Sequence, residues 1–225
     1  MISAIVVAAG AGKRMKSKIS KPFQSLAGKP LLLWTLESIS ASKVDNIIVV
    51  AAPKEVNRIT NLISEYSIKK VKAVGRGGEH RQDSVANAFE LLPENTRIVA
   101  VHDGARPLIS VSLINKIIDE LGDFDGVVPA VMPTDTIKQT NGHFVAKTLS
   151  RQDLRAVQTP QVFKKEPLLN SYAKAKQEGF YGTDDASLLE KYGYKVKITE
   201  GSYDNIKVTT PVDLALAEVL IKGEL

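Results

Sequence analysis

Five consecutive apolar residues, Ile5-Val6-Val7-Ala8-Ala9, stop abruptly at Gly10-Ala11-Gly12. A run this short and this apolar suits a strand buried on both faces of a parallel sheet. Such a strand ends in a turn that leaves backbone N–H groups unpaired, and small residues let an anion come close to them. Lys13, Arg14, Lys16, Lys18 and Lys21 follow at once. The stretch therefore reads as a site for a nucleoside triphosphate. Two well-known phosphate loops do not match it. A Walker loop needs Gly where Ala8 stands and Ser or Thr where Arg14 stands. The dinucleotide fingerprint needs a third Gly or Ala where Met15 stands, and no clear ribose-binding acid follows the second strand. A basic surface loop after an edge strand stays open on spacing alone.

The rest of the chain repeats the same grammar. Strand-like runs at 3–8, 46–51, 70–74, 97–101 and 126–131 alternate with helix-like stretches at 31–40, 55–64, 82–91 and 112–121. Alternation of this kind predicts an α/β fold whose twisted, mostly parallel sheet carries helices on both faces. The functional-looking segments, Gly75-Arg76-Gly77-Gly78 and His102-Asp103-Gly104-Ala105-Arg106-Pro107, each follow a strand, where open α/β sheets bind ligands.

The pattern breaks after residue 131. Residues 136–148 alternate around Asn141-Gly142, which predicts a β-hairpin with a type I′ turn. An isolated two-stranded hairpin is marginal in water, so residues 133–152 are expected to form an inserted arm that packs on a second copy of the chain or on the chain's own sheet. The last third predicts a strand over 156–163, helices near 166–177 and 184–191, a strand at 194–198 and a closing helix. Thr210 sits at the N-cap of that helix, Pro211 at its first position, Asp213 at its third and Gly223 past its end. Asp184 reads as the N-cap of the helix it precedes.

At 225 residues and 44% hydrophobic content, one domain spanning 1–225 is expected. The formal charge of +5 suits an anionic ligand, from a nucleotide to RNA. Aromatic residues make up only 6% and are not interleaved with the basic clusters, which argues against a single-stranded nucleic acid partner. No apolar run approaches the ~20 residues of a membrane span, and the N-terminus does not read as a secretory leader. Cysteine is absent, so neither a disulfide nor a thiolate metal site is available. These features suggest a cytoplasmic protein with no membrane or nucleic acid partner.

Six motifs then occur in register: Ala8-Ala9-Gly10-Ala11-Gly12-Lys13-Arg14-Met15 with Lys21 beyond it, residues 77–85 (GGEHRQDSV), residues 102–107, Gln158-Thr159-Pro160-Gln161, Thr183-Asp184-Asp185-Ala186, and residues 204–209 (DNIKVT). Together they closely resemble the 2-C-methyl-D-erythritol 4-phosphate cytidylyltransferase family of the non-mevalonate isoprenoid pathway, over essentially the whole chain. The resemblance implies a Rossmann-like nucleotidyltransferase fold, akin to glycosyltransferase-A folds, and transfer of CMP from CTP to the polyol phosphate with release of pyrophosphate and with Mg²⁺. It implies a homodimer in which each arm helps to build the other subunit's site. Arg14 and Lys21 would stabilise the transition state, and Arg151 and Lys207 would position the attacking phosphate. Ala8, Ala9, Gly10, Ala11, Gly12 and Lys13 would hold the triphosphate nucleotide. Gly77, Gly78 and Ser84 would meet the cytosine. Asp103 would contact Mg²⁺ or the ribose, unless it merely caps the turn after its strand. Arg106, Thr136 and Thr159 would contact the phosphosugar, with Thr136 and Arg151 reaching the neighbouring subunit.

The residue chemistry points the same way. A phosphate monoester is already a nucleophile, so the site needs cations to bring two anions together rather than a general base. His102 therefore reads as structural. Where the family usually has Pro-Lys-Gln, this chain has Ser20-Lys21-Pro22, and Pro22 is expected to keep Lys21 extended. Asp103-Gly104 replaces the usual Asp-Ala or Asp-Ser. A pentitol-phosphate cytidylyltransferase is the nearest alternative, and a non-catalytic nucleotide- or nucleic-acid-binding module a remoter one.

Overall fold

The computed structural model describes residues 1–10, 12–17 and 19–223, with the side chain of Lys13 excepted. The parts assigned above to Ala11 and to the Lys13 side chain lie outside the described residues. The strands are β1 (Ile2–Ala8), β2 (Ser25–Leu26), β3 (Lys29–Pro30), β4 (Asn46–Ala51), β5 (Val71–Arg76), β6 (Ile98–Asp103), β7 (Gly126–Val131), β8 (Lys138–Asn141), β9 (Phe144–Thr148), β10 (Ala156–Val157), β11 (Gln161–Lys164) and β12 (Val196–Glu200). The helices are α1 (Leu31–Ser40), α2 (Val56–Glu65), α3 (Arg81–Phe89), α4 (Val111–Asp119), α5 (Lys165–Glu178), α6 (Asp185–Lys191) and α7 (Pro211–Lys222).

The main sheet has the order β10-β7-β11-β6-β1-β4-β5, with β12 on the other edge of β7. Pairing is parallel from β6 through β1 and β4 to β5, and again between β7 and β12. β11 runs antiparallel between β6 and β7, and β10 antiparallel to β7. The expected strand over 156–163 is thus two strands, because Pro160 lacks the N–H a continuous ladder needs.

Side chains of the central strands alternate between two cores. Ala4 and Val6 of β1, with Ile47 and Val49 of β4, pack beneath α1, α2 and α4. Ile5, Ile48, Val50 and Phe163 face α3, α5 and α6. The predicted two-faced α/β architecture follows from that alternation. Every residue of β4 is buried, which is why its six residues read as an unbroken apolar run.

A third, smaller cluster bears directly on the cleft. Met15, Leu26, Leu31, Val208 and Ala217 are buried together, with Trp34, Ile206 and Leu214 packed around them. Met15, the residue that spoiled the dinucleotide fingerprint, is 5% exposed and is the apolar peg by which the basic loop docks on the segment before α7. Its burial draws that loop towards Lys207.

The hairpin forms as β8–β9 in a sheet of its own, and every residue of both strands is exposed. Its turn differs from expectation. Asn141 pairs with Phe144, so Gly142 and His143 are the central pair, and of these Gly142 has positive φ (+56°) while His143 does not. That is the pattern of a type II′ turn, with Gly at its first central position, rather than I′.

Candidate active site at the carboxyl ends of the parallel strands

A cleft of about 440 Å³ opens beyond the tips of β1 and β6. Ala8, Ala9, Gly10 and Gly12 line one wall, Gly78 and Ser84 a second, and Asp103 the floor. Arg14, Lys21 and Lys207 line the same cleft, although they come from three separate segments. Gly12 turns the chain with φ +62°, and a Cβ there would lie 3.4 Å from the Cβ of Lys21, so the glycine turn folds back against the lysine. Lys21 opens a 3₁₀ turn, Lys21–Phe23, with Gln24 N–H donating to the Lys21 carbonyl at 3.1 Å. It is not the extended residue expected before a proline. Pro22 sits early in that turn, where its missing N–H has no role.

Burial pulls the pKa of Lys21 below its ordinary value, and the charges of Lys207 and Arg14 pull it further down. Three cations crowding one cleft repel one another, and an anion entering it relieves that repulsion.

Asp103 is the counterweight. Its Oδ1 accepts from Arg81 Nε at 3.2 Å, its Oδ2 lies 2.7 Å from Lys207 Nζ, and Arg106 Nε stands 3.9 Å away. Burial alone would push its pKa up, but Arg81, Lys207 and Arg106 hold the carboxyl well below the usual range. The floor of the cleft therefore carries a fixed negative charge ringed by positive ones. No group of three or more His, Asp or Glu among the described residues could hold a metal ion by itself. Beside a triphosphate, however, Mg²⁺ takes most ligands from phosphates and water, and one ionised carboxylate facing the cleft suits it. Asp103 is the carboxylate that would take that place, exchanging a contact to Arg81 or Lys207 for the ion.

Several assigned residues do other work. Thr159 is buried behind β6: its Oγ1 accepts the Asp103 N–H at 3.1 Å and contacts His102 Nδ1 at 3.1 Å. It holds Asp103 in place and is not among the cleft-lining residues. Arg106 donates from Nη1 to the Asn205 carbonyl at 2.6 Å, with its side chain 11% exposed. Its guanidinium braces the turn after β6 against the 202–208 segment, and Arg106 is not among the cleft-lining residues. Ser84 lines the cleft, but its hydroxyl donates to the His80 carbonyl (3.0 Å) and accepts from Gly78 N–H (3.1 Å), closing the loop rather than standing free for a base. Gly77 lies just behind the wall, where a Cβ would fall 2.4 Å from that of Ala9. Thr136 and Arg151 are exposed at the root of the arm, Arg151 Nη1 donating to the Thr134 carbonyl at 2.8 Å, and neither enters this chain's cleft.

The loop carrying Lys207 is tied down by residues first read only as motif. Asn205 Nδ2 donates to the Thr159 carbonyl at 2.9 Å and to Gln158 Oε1 at 3.2 Å, and Val208 N–H donates to the Ala105 carbonyl at 2.8 Å. Asp184 accepts from Ser187 N–H at 2.9 Å, as an N-cap should. Arg81 and Asp185 were missed as functional candidates. Two acids in succession at the start of α6 were the available signal, since only one of them can cap.

His102 is fully buried. The Arg106 carbonyl can only accept, so Nε2 carries the ring proton towards it at 3.4 Å, and Nδ1 accepts from the Thr159 hydroxyl, whose oxygen also accepts the Asp103 N–H. Burial, opposed only in part by Asp103, brings its pKa down from 6.5 to about 4. Between those values the unfolded chain binds a proton that the folded chain refuses, so this group's contribution to stability falls as pH drops from 6.5 towards 4 and is flat above 6.5. The integrated loss by pH 5 is about 2 kcal/mol. Urea unfolding at pH 7.5 and pH 5.0 should show that loss in the native chain and most of it abolished in His102→Asn; equal losses in both would assign the pH dependence elsewhere.

The sequence profile of the IspD family, described as 2-C-methyl-D-erythritol 4-phosphate cytidylyltransferase, matches residues 2–223. A relative from Geobacillus kaustophilus carrying that name is 43% identical over 99% of this chain and 97% of its own. Another, from Pelotomaculum thermopropionicum, is 44% identical over 99% of this chain and 94% of its own. The crystal structure of 4-diphosphocytidyl-2C-methyl-D-erythritol synthase from Anaerococcus prevotii superposes with a TM-score of 0.87 at 32% identity, covering 98% of each chain. With a family profile spanning all but the ends, and with the cations of its motifs meeting in one cleft, this chain belongs to the 2-C-methyl-D-erythritol 4-phosphate cytidylyltransferase family.

Proposed function

We propose that the chain transfers CMP from CTP to 2-C-methyl-D-erythritol 4-phosphate, forming 4-diphosphocytidyl-2-C-methyl-D-erythritol and pyrophosphate for isoprenoid precursor synthesis. One observation carries the mechanism: Arg14, Lys21 and Lys207 share a cleft at the strand tips. A phosphate oxygen of the polyol phosphate attacks the α-phosphorus of CTP. The new P–O bond forms as the bond to the bridging oxygen breaks, and pyrophosphate leaves with that electron pair. No proton need be taken from the nucleophile, so the protein supplies position and positive charge. Lys21 and Arg14 offset the charge that grows on the α-phosphoryl oxygens, and backbone donors of the 8–12 turn cradle the triphosphate. Lys207 faces the incoming phosphate. The wall formed by Gly78 and Ser84, backed by Gly77 packed against Ala9, leaves room for a pyrimidine in the cleft, with backbone carbonyls able to accept from the cytosine amino group. Mg²⁺, held by Asp103 and the phosphates, would supply further charge neutralisation.

The arm gives the second half of the site. Phe144 and Val145 are 81% and 63% exposed on a hairpin with nothing of its own chain beneath it among the described residues. Covering them against a second copy removes apolar surface from water and carries Arg151 and Thr136 towards that copy's cleft. The expected assembly is a homodimer with shared sites, working in the cytosol.

Pyrophosphate release should be observed with CTP and methylerythritol phosphate, and far more weakly with UTP, ATP or ribitol phosphate. Release only with another polyol phosphate would overturn the substrate assignment. Lys21→Ala and Arg14→Ala should each lower kcat by about 100- to 1,000-fold without unfolding the chain. A folded variant with near-native turnover would refute the role given to that residue. Shared sites also predict complementation: unfolding and refolding an equal mixture of the inactive Lys21→Ala and Arg151→Ala chains should restore roughly a quarter of native activity, because half the dimers are mixed and each mixed dimer has one intact site. No recovery from mixed dimers would place Arg151 outside the neighbour's site.

A further inference from the structure

Arg81 opens α3 and lines the cleft, yet its guanidinium is largely committed elsewhere. Nη1 and Nη2 donate to Asp185 Oδ1 and Oδ2 at 2.9 and 2.8 Å, a planar two-point pair, while Nε donates to Asp103 Oδ1 at 3.2 Å. Asp185 is 0% exposed and also accepts the hydroxyl of Tyr172, itself buried on α5, at 2.5 Å. It does not cap α6, since Asp184 does that, and it is not among the cleft-lining residues. A continuous chain of polar contacts thus runs from the core behind the sheet to the cleft: Tyr172, Asp185, Arg81, Asp103, Lys207.

Stability does not account for this arrangement. A buried ion pair recovers little of its desolvation cost, and well-packed apolar residues often serve the fold as well or better. Its geometric effect is specific. With both terminal nitrogens fixed from behind, the plane of the guanidinium is set and its third edge has one direction left, towards Asp103. The charge of Arg81 is also balanced from the core side, so the arginine stays on the carboxylate instead of swinging onto an entering phosphate.

We propose that Asp185, supported by Tyr172, is a positioning residue for nucleotidyl transfer, acting through Arg81 to fix Asp103 and with it Lys207. The proposal rests on the cleft being the transfer site. The glycine turn after β1, Arg14 and Lys21 lie outside the chain of contacts, whereas Lys207 lies within it, so the effect falls more heavily on turnover than on CTP affinity.

The test is steady-state kinetics on Asp185→Asn, Tyr172→Phe, Arg81→Lys and the double variant Asp185→Asn/Arg81→Lys, each checked for folding by thermal melting. Asp185→Asn should lower kcat about 10- to 100-fold, a larger factor than any rise in KM for CTP. The double variant should be no worse than Arg81→Lys alone, because both remove one linkage. Tyr172→Phe, which keeps the ring packed edge-on against Phe89, should lower kcat a few-fold in the same pattern and covers the case in which Asp185→Asn fails to fold. Multiplicative losses in the double variant, an unchanged kcat in folded Asp185→Asn or Tyr172→Phe, or a loss seen only in KM for CTP would each overturn the proposal. An arm independent of catalysis uses the ¹⁵N NMR signal of the Arg81 Nε–H, expected to be resolved in the native chain and averaged away in Asp185→Asn or Tyr172→Phe. Its persistence in both would refute the positioning link, whereas an inactive native enzyme with the expected NMR behaviour would refute the functional reading alone.

Discussion

A single carboxylate at the end of β6 organises the cleft. Asp103 is 7% exposed and remains ionised only because positive groups reach it from the start of α3, the turn after β6 and the loop before α7. An anion in that setting is costly unless paired, so its presence dictates where Arg81, Arg106 and Lys207 must sit. Those three are far apart in sequence, and the sheet brings them together. The basic loop is placed by a different force: Met15 is buried beside Val208, which swings Arg14 and Lys21 to the side of the cleft where Lys207 stands. Apolar docking and ion pairing thus converge to hold like charges close together, a state an anionic ligand relieves.

The fold was legible because it rests on short-range rules. Residues 46–51 were expected and found as a strand, residues 31–40 as a helix, and the closing helix has Thr210, Pro211, Asp213 and Gly223 in the predicted cap positions. Each of these depends on a handful of neighbouring residues. The misses arose where tertiary pairing decides. The 156–163 segment breaks at Pro160, which has no N–H for the ladder, and the register on β7 shifts across the break, from Val157 opposite Ala130 to Val162 opposite Val127. The arm's turn centres on Gly142-His143 because cross-strand register, not the Asn-Gly dipeptide, sets which residues are central.

The site was legible in part. Residue type marked out the glycine turn and the cations after it, and of these Gly10, Gly12, Arg14 and Lys21 line the cleft. Thr159, Arg106 and Ser84 were harder, since a polar residue beside a ligand and one supporting its neighbour look alike in sequence. Their hydrogen bonds separate the two: Thr159 supports Asp103, Arg106 braces the Asn205 carbonyl, and Ser84 closes the 78–84 loop. Asp185 shows the converse. Quoted in sequence only as part of a motif beside the capping Asp184, it gains a part through its pairing with Arg81 across 104 residues.

The most direct measurement is the structure of the protein with CTP bound. The account predicts the triphosphate along the glycine turn after β1, its α-phosphate within reach of Arg14 and Lys21, and the cytosine against the Gly78 and Ser84 wall, with Asp103 still anchored on Arg81. A nucleotide seated elsewhere, with Arg14 and Lys21 left in solvent, would contradict it.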